Sequence, residues 1–128
     1  MEVIAERILE FRESSASRAR KIRVALGRPV QVVLGDPQQG EIAPPVPVTP
    51  GEPVPENACW GAPYGIYDPA SAPREQWAFG EDSMQALMLA IHILPTMLEA
   101  LFLRSGTLTC DGGPWNEGFG ATRPPSTP

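Results

Sequence analysis

The sequence has very little of what most active sites are built from. It holds one histidine, His92, and two cysteines, Cys59 and Cys110. A metal site needs three or four ligands at close spacing, and no C-x-x-C or similar cluster supplies them. No metal and no cofactor is therefore expected. No serine sits in a G-x-S-x-G elbow, and Gly80-Glu81-Asp82-Ser83 reads instead as the start of a helix. The one glycine pair, Gly112-Gly113, has no lysine near it to complete a phosphate loop. His92 shares a helix stripe with Glu99, where a lone histidine is far more often solvated than a general base. The chain is expected not to be an enzyme.

Positive charge is also scarce. Beyond residue 33 there are three basic residues against eleven acidic ones, a net charge of −8, whereas residues 1–33 carry +3. Binding to phosphate backbones needs clustered Lys and Arg, so nucleic acid is not an expected partner. The opening Met1-Glu2-Val3-Ile4-Ala5-Glu6-Arg7 has neither the basic start nor the apolar run of an export signal. A cytoplasmic location follows as the expectation, with Cys59 and Cys110 buried and reduced. A disulfide between them would require Cα atoms within about 7 Å. The apolar window 84–103 is interrupted by Gln85, His92, Pro95 and Glu99, which argues against a membrane span.

What is present is a series of strand patterns followed by one long helical one. Residues 3–12 alternate, with Val3, Ala5, Leu9 and Phe11 on one face and Ile4, Glu6, Ile8, Glu10 and Arg12 on the other. A Ser-rich turn follows, and a second strand over 18–26 turns Ile22, Val24 and Leu26 inward. Residues 30–34 form a third, β-branched strand. Seven of the 16 prolines then fall between residues 35 and 58, with four acidic residues and no Lys or Arg. This is expected to be a long extended loop within the domain. Strand character returns over 59–67, where Pro63 and Gly65 suggest an edge or bulged position, and again over 74–79. The helix is expected from about Ser83 to Arg104, with Asp82 as N-cap, Gln85 reaching back, and Gly106 ending it.

Strands first and one helix last predict an α+β fold: an antiparallel sheet of four to six strands, packed by the C-terminal helix. Residues 1–110 form the single domain, and 111–128 a disordered Pro/Gly-rich tail apart from Trp115 and Phe119. At 100° per residue, Met84, Leu87, Met88, Ile91, Leu94, Leu98, Leu101 and Phe102 form the expected sheet-packing face. Ala86, Leu89, Ile93, Met97 and Ala100 are left over, flanking the polar stripe. The surplus implies a further cover from the loop, the tail, a second copy or another protein.

The segments Ile4-Ala5-Glu6-Arg7 and Phe79-Gly80-Glu81-Asp82-Ser83-Met84-Gln85-Ala86-Leu87-Met88-Leu89-Ala90 resemble an uncharacterised family of small bacterial proteins. Its shared features are an I-A-E-R opening strand and a G-x-D-S-x-Q-A-L-x-L-A helix. The resemblance implies the fold and carries no activity. In size and acidity the chain is similar to immunity proteins that neutralise bacterial toxins. The expectation is thus a non-catalytic protein-binding module. Asp36, Glu41, Glu52 and Glu56 would face a basic toxin, and Leu89, Ile93 and Met97 would contribute an apolar contact. The alternatives are a structural homodimer closed through the same three residues, or a small ligand-binding or enzymatic domain.

Overall fold

A computed structural model describes residues 1–14, 18–35 and 44–117. It is an α+β fold in which one helix lies across an antiparallel, seven-stranded sheet. The strands are β1 (Val3–Arg12), β2 (Arg20–Gly27), β3 (Val30–Val33), β4 (Val46–Pro47), β5 (Ala58–Tyr67), β6 (Arg74–Gly80) and β7 (Thr107–Thr109). The helix, α1, spans Ser83–Phe102. β1 and β2 form a long hairpin in which Leu9 faces Ile22 and Arg7 faces Val24. β7 closes the outer side of β1 by pairing Thr107 with Arg12.

β5 is not an edge strand, as its proline and glycines had suggested. β6 pairs along one side of it, while β3 and β2 follow each other along the other side. β3 pairs with residues as far as Gly61, and β2 resumes at Tyr64. Pro63 falls opposite this gap, where the chain breaks at Gly27-Arg28-Pro29, so a missing N–H is tolerated in the middle of the sheet. β4 is a two-residue strand within the proline-rich segment, paired with Val32 and Val33.

The core lies between sheet and helix. Leu9, Phe11, Ile22, Val24, Tyr64, Ile66 and Ala78 supply the sheet side, and Ala86, Ala90, Leu94, Leu98 and Phe102 the helix side. The helix side is one i, i+4 row, and it corrects the expected face. Met84 and Met88 point to solvent, and Ala86 and Ala90 take the sheet-facing positions. The cause is close approach at the N-terminal end. A Cβ on Gly80 would lie 2.6 Å from the Ala86 amide nitrogen, so only small side chains fit between α1 and β6 there.

Asp82 has extended backbone geometry and accepts the Gln85 N–H at 2.7 Å, as an N-cap does. Gln85 reaches back, but its carbonyl accepts from Glu81 N–H at 2.6 Å, one residue before the cap. Asp82→Ala is expected to destabilise the fold by ~0.5–2 kcal/mol in urea unfolding. An unchanged midpoint would mean that the first turn is held by packing alone. The helix stops at Phe102, earlier than Arg104, with Leu103 as C-cap. Gly106 is not its left-handed terminator. It is small because a Cβ there would strike the Arg12 carbonyl and the Phe11 ring.

The fold continues past Cys110, beyond the domain end expected from sequence. Cys110 and Gly113 form an isolated bridge, and Trp115 is buried in the core beside the helix. Arg7 holds this segment by donating Nη1–H bonds to the Trp115 carbonyl, at 3.1 Å, and to the Glu117 carbonyl. Phe119 lies outside the described residues.

Candidate interaction surface

The residues with reactive side chains are not brought together. His92 is exposed on α1, and Glu99 lies seven residues further, about 10 Å along the axis. Cys59 on β5 and Cys110 beyond β7 are free thiols. β2 and β1 stand between their strands, which places the two cysteines at least about 14 Å apart and excludes a disulfide. Among the described residues no group of three or more His, Cys, Asp or Glu is placed to hold a metal ion.

The surface that stands out is apolar and lies on the N-terminal half of α1. Met84 is 70% exposed, Met88 55% and Leu89 40%. With Asp82, Gln85 and His92 they border a shallow concavity of about 460 Å³. Ser83–Phe102 is the one helix among the described residues that is long and apolar enough to cross a membrane. Here one face of it forms the core of the sheet layer. The three apolar residues expected to seek a partner separate. Leu89 is exposed, while Ile93 and Met97 are half-buried and packed against the protein's own core.

The acidic residues singled out in the sequence lie elsewhere. Asp36 and Glu41 fall outside the described residues. Glu52 and Glu56 are exposed in the segment between β4 and β5, where the Glu52 N–H donates to the Thr49 carbonyl at 3.2 Å. Asp82, the N-cap of α1, is the carboxylate that borders the α1 patch.

Two further features had no sequence signal. Arg20 grips Asp68 through two bonds of 2.8 and 3.0 Å, reaches Glu13 at 3.1 Å, and lies 4.7 Å from the Phe11 ring centre. The Arg20 hydrogen bonds lower the Asp68 pKa; burial opposes the shift, and the Ala70 N–H adds to it. The second feature is a pocket of about 300 Å³ on the sheet face away from α1. Arg20 and Asp68 are 48 residues apart, and the pocket draws its lining from five separate stretches between Met1 and Trp77, so no local spacing reveals either.

Residues 34–123 match the family described as a domain of unknown function, DUF6968. The chain belongs to this family. No curated protein and no solved structure matches it. In this DUF6968 member the matched segment runs from the end of β3 through α1 and Trp115. It therefore includes both the exposed apolar patch and most of the far-face pocket.

Proposed function

We propose that the protein is a non-catalytic, cytoplasmic binding module that holds another protein against the N-terminal half of α1. The observation that carries this reading is the exposure of Met84, Met88 and Leu89 together on a helix whose opposite row is fully buried. Clustered exposed apolar side chains on a soluble domain mark contact surfaces. Methionine suits such a surface because its unbranched, polarisable side chain adapts to a partner's shape. The net charge of −5, with Asp82 at the border of the patch, favours a basic partner and faster encounter with it. Neutralisation of a basic bacterial toxin is the specific form of this reading that size and charge support. A homodimer through Leu89, Ile93 and Met97 is less well supported, since two of those residues already pack on the core.

Met88→Glu tests the reading. The side chain is exposed, so stability should change by less than about 0.5 kcal/mol. The variant should nevertheless fail to complement deletion of the gene, because a charged carboxylate would replace the apolar contact that Met88 makes and be desolvated in the complex. Complementation at the wild-type level would count against the α1 surface.

A further inference from the structure

The face of the sheet away from α1 carries a second built feature. β5 presents Gly61, Pro63 and Gly65 on that face, opposite its core residues Ala62, Tyr64 and Ile66. With no side chain at Gly61, the Trp77 ring comes close to the backbone; a Cβ there would be 2.8 Å from it. Trp77, Pro63, Pro47 and Val30 form the apolar walls of the 300 Å³ pocket. Charged groups stand at its mouth. Arg28 and Glu2 pair with each other at 3.5 Å. Glu75 accepts a hydrogen bond from the Tyr67 hydroxyl at 3.2 Å, and it has no ion-pair partner, terminal amine included, among the described residues.

An aromatic ring, two prolines and one unpaired carboxylate are complementary to an aliphatic stem ending in a cation. We propose that this pocket receives a lysine or arginine side chain of the partner protein, with its stem on Trp77 and Pro63 and its charge on Glu75. The proposal rests on the binding-module reading. It adds a specificity site on the opposite face of the sheet from the α1 patch. A pocket of about 300 Å³ is of a size to take one side chain delivered by a larger surface.

The probe is a capped Ala-Lys-Ala peptide, compared with its neutral analogue carrying norleucine, each titrated while the indole N–H signal of Trp77 is followed by NMR. The lysine peptide should shift that signal saturably, and the norleucine peptide should bind at least about threefold more weakly. Glu75→Gln, which keeps an acceptor for Tyr67, should weaken the lysine peptide by about three- to tenfold, the size of a partly exposed ion pair with a cation–π contact. Equal binding of the two peptides, no shift of Trp77, or full affinity in Glu75→Gln would overturn the proposal. Failure here with loss of function in Met88→Glu would remove the pocket and leave the module reading. Success here with a fully functional Met88→Glu would relocate the contact to the far face.

Discussion

Trp115→Ala should destabilise the protein by about 3–5 kcal/mol, a large part of the 5–15 kcal/mol that holds a typical domain folded. The side chain is one of the largest in the core and lies beyond the last strand, in a segment that sequence alone places in a tail. A single helix about 10 Å wide cannot cover a sheet of this breadth. α1 packs chiefly on β5 and β6, which leaves the β1–β2 side to be closed by other groups. Trp115 does this, and Arg7 on β1 fixes its backbone. Truncation would open a cavity in the core and lower the melting temperature by on the order of 10–20 °C. A loss below about 1 kcal/mol would show that α1 closes the core without this segment.

The second large effect concerns Asp68. Its side chain is only 8% exposed, and the Arg20 bonded to it is 29% exposed. Asp68→Asn should cost about 1–2 kcal/mol at neutral pH, less than a fully buried pair because water still reaches the guanidinium. The folded-state pKa of Asp68 is lowered, chiefly by the Arg20 hydrogen bonds. Its stabilisation is therefore complete above the unfolded-state value of about 4, and is lost as pH falls through the lower folded-state value. Urea midpoints of wild type and Asp68→Asn should differ at pH 7 and converge towards pH 2. The comparison isolates this carboxylate, since the other acidic groups titrate in both proteins. A difference that stays constant down to pH 2 would mean that the mutation acts through packing.

Much of the fold is legible in the chain because it is local. Alternation marks β1 and β2, and Asp82 with Gln85 marks the first turn of α1. The central place of β5 is not local. Pro63 reads as an edge signal until the break at Gly27-Arg28-Pro29 is seen to leave a gap opposite it. The orientation of α1 is likewise set by a tertiary contact. Hydrophobic weight favours Met84 and Met88 over Ala86 and Ala90, yet the close approach at Gly80 selects size over hydrophobicity. Ile93 and Met97 pack on the core, so the exposed apolar residues of α1 are not the three expected from sequence. Leu89 remains in the exposed set; Met84 and Met88 join it.

The central claim is that this exposed set is a contact surface for another protein. Site-specific photo-crosslinking in the native cell tests it most directly, with the reactive residue at position 88 and, as control, at Lys21, which is exposed on β2. The account predicts a discrete adduct from position 88 that is absent from position 21, is lost when Met84→Glu is added, and differs in mass from twice the chain. An adduct of twice the chain mass would identify a second copy as the occupant, and no adduct from position 88 would contradict the claim.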